Sequence, residues 1–158
     1  DFVAEWSRAA VSRVAPGGQV SWCSRLPDRF ECPDIPSQSV KAELLEIDTS
    51  PHWALATQPA GHSTTVVEYD RVPLGRELVV GAGLHNVWLR KAGKGTVSLR
   101  AIVQGRELGR IEAGSLTGWT LRKFDTSALA GQAASVRFEI TVDDPNSRTL
   151  GFAAEARN

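Results

Sequence analysis

The residues best suited to chemistry are clustered around His85–Arg90, HNVWLR, and the strand-like run that follows it. Side chains alternate across an extended backbone, so if Val87 and Leu89 face a core, Asn86, Trp88 and Arg90 project from the opposite side. In Thr96–Gln104, TVSLRAIVQ, the same alternation turns Val97, Leu99, Ala101 and Val103 inward and Ser98, Arg100, Ile102 and Gln104 outward. Arg137 and Glu139, from SVRFEITV, add to that outward surface, and His85 lies at its edge. An aromatic plate ringed by planar hydrogen-bonding groups is the chemistry that holds a sugar, whose C–H groups lie on the ring while its hydroxyls pair with amides and charges. The expected ligand face is therefore His85, Asn86, Trp88, Arg90, Arg100, Arg137 and Glu139. The competing expectation is that Trp88 packs beneath a loop or the N-terminal segment, because a lone aromatic is more often packing than contact surface.

Catalytic chemistry has little support. The three histidines, His52, His62 and His85, are widely spaced, and the chain has no HExxH, GxSxG or Walker loop. Gly81-Ala82-Gly83 lacks the third glycine of a dinucleotide fingerprint and reads as a bend in a strand. Asp143 and Asp144 sit side by side in a DDPN turn, where they point apart and suit a solvated loop better than a glycosidase pair. With Asn146 they could contribute oxygens to a loop calcium site, but a lone turn is short of a complete cage. The expectation is a non-enzyme with no cofactor and no bound metal.

Two cysteines, Cys23 and Cys32, flank a loop carrying Pro27 and Asp28 that can turn the chain back on itself. An even count and a short loop predict a local disulfide and an extracytoplasmic setting, periplasmic, cell-surface or secreted. Two unlinked thiols are the alternative.

The elements that would position these groups are mostly strands. Along Ser135–Val142, Val136, Phe138, Ile140 and Val142 alternate with Ser135, Arg137, Glu139 and Thr141, the period of a strand with one buried face. Thr64–Tyr69, Leu78–Val80, Glu107–Glu112 and Leu150–Ala156 read similarly, separated by Gly-bearing turns, and Trp119, Phe124, Phe138 and Phe152 are the expected aromatic core. At the front, Phe2, Val3, Trp6, Ala9, Ala10 and Val14 recur at helical spacing before Pro16-Gly17-Gly18, which predicts a short amphipathic helix. The expected organisation is an N-terminal helix and linker over 1–18 and a single β-sandwich domain over 19–158.

The run Trp119–Phe138 follows the pattern W-x(4)-FD-x-S-x(3)-G-x(4)-V-x-F. In this it resembles the galactose-binding-like jelly rolls, a superfamily rich in carbohydrate-binding modules. The resemblance implies an all-β, antiparallel jelly-roll sandwich and non-catalytic binding of carbohydrate or glycoconjugate, as an accessory module of an exported or envelope protein. A protein-interaction or structural domain of a membrane-anchored assembly is the alternative, with an undetected hydrolase third.

Composition bounds these readings. At 158 residues and 42% apolar, the chain can bury one ordinary core. Eighteen basic residues balance eighteen acidic ones, which removes the electrostatic footprint of a nucleic-acid binder. No apolar run approaches the roughly 20 residues that span a bilayer. A chain without methionine reads as a processed or excised piece and leaves room for an upstream membrane anchor.

Overall fold

The computed structural model describes residues 1–33, 39–59, 61–85, 96–114, 117–142 and 149–158. In these residues the chain forms β1 (Ala10–Val14), β2 (Val20–Trp22), β3 (Ser24–Arg25), β4 (Phe30–Glu31), β5 (Val40–Ile47), β6 (Ser50–Thr57), β7 (Thr64–Pro73), β8 (Glu77–Leu84), β9 (Val97–Val103), β10 (Arg106–Ala113), β11 (Thr120–Asp125), β12 (Ala133–Val142) and β13 (Leu150–Arg157). A six-stranded sheet runs β10-β9-β12-β7-β1-β2 and a seven-stranded sheet runs β11-β8-β13-β6-β5-β4-β3. All pairings are antiparallel, and from β6 onward the chain passes repeatedly between the sheets, as in a jelly-roll sandwich.

Burial follows the side-chain period. In β12 every second residue from Ala134 to Val142 is buried, and in β9 Val97, Leu99, Ala101 and Val103 face the core as their alternation predicts. From the other sheet Leu78, Val80, Ala82, Leu150, Phe152 and Ala154 meet them. Phe138 packs on Phe152 at 5.2 Å and, edge to face, on Phe2 at 5.5 Å. Phe124 is only partly buried, its ring lying over Gly109, where a β-carbon would sit 2.6 Å away.

The N-terminal helix does not form. Trp6–Arg8 is a single 3-10 turn, and Ala10–Val14 is a strand inserted between β7 and β2, with Val11 opposite Val67. The extended path satisfies the backbone in a sheet ladder, and it lets Phe2 reach Tyr69 at 4.8 Å. Helical spacing was a weak local preference, and tertiary pairing overrides it where β-branched Val11 and Val14 suit a strand. The Asp1 carboxylate accepts bonds from the backbone N–H groups of Val3 and Ala4, ahead of that turn.

Tyr69 is buried, and its hydroxyl donates to the Phe2 carbonyl at 2.8 Å. Burial first, and then the nearby Glu5 carboxylate, raise its pKa well above the ordinary phenolic value. The unfolded chain releases this proton near pH ~10 while the folded chain retains it, so the associated stability is whole below that pH and is lost as pH rises toward the folded pKa. Tyr69 is the only tyrosine in the chain, so tyrosinate absorbance reads it alone. On alkaline titration that absorbance is expected to appear together with loss of the folded circular-dichroism signal; tyrosinate formed near pH ~10 in a protein still folded contradicts this burial.

Cys23 and Cys32 are disulfide-bonded, as expected. The bridge lies where the chain leaves β2 of one sheet and enters β3 and β4 of the other, so it ties the corner that closes this side of the sandwich. Inside the loop, Leu26 N–H donates to the Arg29 carbonyl across the Pro27-Asp28 turn.

Candidate functional site

The two sheets divide the residues expected to bind ligand. Asn86, Trp88 and Arg90 lie outside the described residues, as do Asp143, Asp144 and Asn146. His85 sits at the end of β8 in the seven-stranded sheet, its backbone N–H donating to the Thr149 carbonyl. Arg100, Arg137 and Glu139 come together on the outer face of the six-stranded sheet, in register across β9 and β12. There the Arg100 guanidinium donates through Nε and Nη2 to Glu107 Oε2 (2.9 and 2.7 Å) and through Nη1 to Glu139 Oε2 (3.0 Å). Arg137 pairs with the second oxygen of Glu139 at 2.9 Å, and Arg110 with Glu107 at 3.3 Å. Hydrogen bonding from Arg100, followed by the attraction of Arg100 and Arg110, holds the Glu107 carboxyl below its ordinary pKa. Nε, Nη1 and Nη2 of Arg100 thus each hold a carboxylate within the sheet, and this face carries a lattice of ion pairs.

A different surface has the aromatic character. On the outer face of the seven-stranded sheet, Gly81 and Gly83 of β8, Gly151 and Ala153 of β13, and Ala54 and Ala56 of β6 leave a strip almost free of side-chain volume. Three glycines with no β-carbon allow close approach. Leu45 and Ile47 fold down onto Gly151 and Gly83, where an added β-carbon would meet them at 2.7 and 2.8 Å. Trp119 lies over Gly81, where the corresponding distance to its ring is 2.5 Å, and it packs on the small cluster of Leu45, Ile47, Ala54 and Ala56. His52 stacks on the indole at 4.3 Å and 15°.

The β5–β6 hairpin makes this arrangement by leaning across its own sheet. β6 pairs with β13 only from Leu55 to Thr57, after which the strands part and the segment Asp1–Val3 runs beside β13, Phe2 N–H donating to the Ala154 carbonyl. The hairpin tip is a two-residue turn with Asp48 and Thr49 both at positive φ (54° and 63°), and the Asp48 side chain reaches to Gly118, leaving no room there for a side chain. Positive φ at both turn residues matches the twist of a tight hairpin but is an outlier for β-branched threonine.

Where the hairpin and β13 part, a hollow of about 190 Å³ opens. Gly81 and Ala153 line its base, Trp119, Leu121, Val79 and Trp53 its walls, and Glu155 and Arg157 add charge. Trp53 is 56% exposed and Leu121 63%, so both offer free apolar surface. Glu155 and Arg157 are paired at 2.7 Å and present their remaining donors and acceptors beside the rings. The volume is below the roughly 300–1,000 Å³ of drug-sized pockets, which suits one small ring held by a wall and a few polar groups. A second hollow, of about 140 Å³, lies between the N-terminal turn and the end of β7, where the Tyr69 hydroxyl donates to the Phe2 carbonyl.

Solved structures of similar fold include carbohydrate-binding modules. One is the CBM51-2 and INT domains of Clostridium perfringens ZmpB, at 14% identity over 72% of this chain and 25% of that one, with a TM-score of 0.48. Another is a family two carbohydrate esterase from Clostridium thermocellum in complex with cellohexaose, at 17% identity over 75% of this chain and 31% of that one, with a TM-score of 0.44. A third is carbohydrate-binding module CBM36 in complex with calcium and xylotriose, at 12% identity over 75% of this chain and 93% of that one, with a TM-score of 0.42. The chain spans about a quarter to a third of the first two. No protein-family model matches it, and no curated protein does.

Sequence reasoning passed over Trp53 and Leu121 and assigned Trp119 to the core. The available signal was the group of small residues, Gly81, Gly83, Gly151, Ala54 and Ala56, in strands otherwise rich in bulky side chains. Such gaps mark places where another side chain, or a ligand, approaches the backbone.

Proposed function

We propose that this domain binds carbohydrate without turning it over, in the hollow between Trp53, Trp119 and Leu121, as an accessory module of an exported or envelope protein. The observation that carries the reading is the largely exposed Trp53 ring beside a glycine-and-alanine floor, with Glu155 and Arg157 next to it. A pyranose with equatorial substituents presents a flat C–H face to an aromatic wall and its hydroxyls to the paired charges. Glu155 is paired with Arg157, an arrangement that orients hydroxyls. The disulfide supports an oxidising compartment.

Equatorially linked β-1,4-glucans and xylans expose flat faces, so cello- and xylo-oligosaccharides are suitable probes. Trp53→Ala, at an exposed position that leaves the core intact, is expected to weaken binding at least about tenfold by calorimetry, which corresponds to about 1.4 kcal/mol. Unchanged affinity in a folded Trp53→Ala protein removes the hollow from the site.

A second reading, docking of a partner protein within a membrane-anchored assembly, is favoured by Val20 and Trp22, 48% and 64% exposed on the edge strand β2.

A further inference from the structure

We propose that the same outer face carries a second sugar subsite, a polar pocket of about 260 Å³ lined by Ser39, Lys41, Glu43, Gln58 and Thr149 around Ala56. The proposal rests on the reading of the aromatic hollow as a carbohydrate site and extends it along the face. Register places Lys41 opposite Ala56 and Glu43 opposite Ala54, so these side chains share the surface of Leu45 and Ile47. Pocket and hollow therefore flank the Leu45–Ile47 cluster. From Thr149, at the pocket, to Ala153, at the hollow, is four residues along an extended chain, roughly 13 Å at about 3.3 Å per residue. That exceeds one pyranose ring, so a ligand filling both is an oligosaccharide.

The chemistry of the pocket selects neutral, hydroxyl-rich groups. Lys41 Nζ is paired with Glu43 Oε2 at 2.7 Å, which cancels the positive charge an anion would need and sets a carboxylate against it. Gln58 Nε2 donates to Thr149 Oγ1 at 3.1 Å; the Gln58 carbonyl has the capacity to accept and the threonine hydroxyl carries a proton to donate. Ser39 and the second carboxylate oxygen of Glu43 add a donor and further acceptors. Donors and acceptors interleaved around a small cavity, without an aromatic wall, match the edge of a sugar and complement the stacking surface of the hollow.

Calorimetric titration with glucose, cellobiose, cellotriose and cellohexaose tests this. Affinity is expected to rise about tenfold or more from cellobiose to cellohexaose, and Lys41→Ala/Gln58→Ala to remove that gain while leaving cellobiose within about twofold of the parent, the scale of two lost hydrogen-bonding groups. Thr149→Val, which keeps shape and removes the hydroxyl, is expected to lose part of the gain and serves should the double variant be unfolded. Flat affinity from cellobiose to cellohexaose, or parental cellohexaose affinity in these variants, overturns the second subsite and leaves the hollow standing. Absence of binding by the parent to every member of the series overturns both.

Discussion

Phe138→Ala is expected to lower the free energy of unfolding by about 3–5 kcal/mol, the cost of deleting a large aromatic from a site that cannot collapse. Phe138 has no exposed surface and sits between Phe2 and Phe152, so its ring links the N-terminal segment and both sheets. Its neighbours are held on strands by backbone pairing on both sides of β12, which limits relaxation into the void. Chemical denaturation measures the loss. A midpoint close to that of the parent would mean that β12 does not present this face to the core.

Removing the disulfide with Cys23→Ala/Cys32→Ala is expected to cost about 2.5–3 kcal/mol, the chain-entropy value for a loop of about ten residues. The constraint has a structural target, since the bridged loop contains the crossing from β2 to β3 and β4. A denaturation midpoint that falls equally in the parent under reducing conditions and in the double variant supports that account. A parent indifferent to reductant contradicts it.

The strands of the sandwich were legible because burial of one face leaves a period of two in the residues themselves. Val136, Phe138, Ile140 and Val142 in β12 carry it without interruption, and Val97, Leu99, Ala101 and Val103 in β9 carry it until Ile102, expected to face outward, is buried as well. The N-terminal segment was misread because Phe2, Val3, Trp6 and Val14 fit a helical stripe equally well, and only the vacant edge of β7, far away in sequence, decides for a strand. The ion pairs of Arg100, Arg137 and Glu139 could be placed on one face by alternation, but Glu107, which occupies Arg100, comes from a neighbouring strand beyond a bulge. Trp119 escaped for a related reason. Its place on the outer face depends on the β5–β6 hairpin leaning over Gly83 and Gly151, a non-local event that neither Trp119 nor the glycines announce alone.

The central claim, that sugar binds between Trp53 and Trp119, is tested most directly by the indole N–H resonances of the five tryptophans, assigned one by one by substitution, during titration with cellohexaose. Trp53 and Trp119 line the hollow, Trp6 packs on Phe30 at 5.6 Å, Trp22 lies on the far edge of the other sheet, and Trp88 belongs to the face expected from sequence. The predicted result is a saturable shift of the Trp53 and Trp119 resonances, with those of Trp6, Trp22 and Trp88 stationary. A shift of Trp88 with Trp53 and Trp119 unmoved would contradict the account and place the ligand elsewhere on the sandwich.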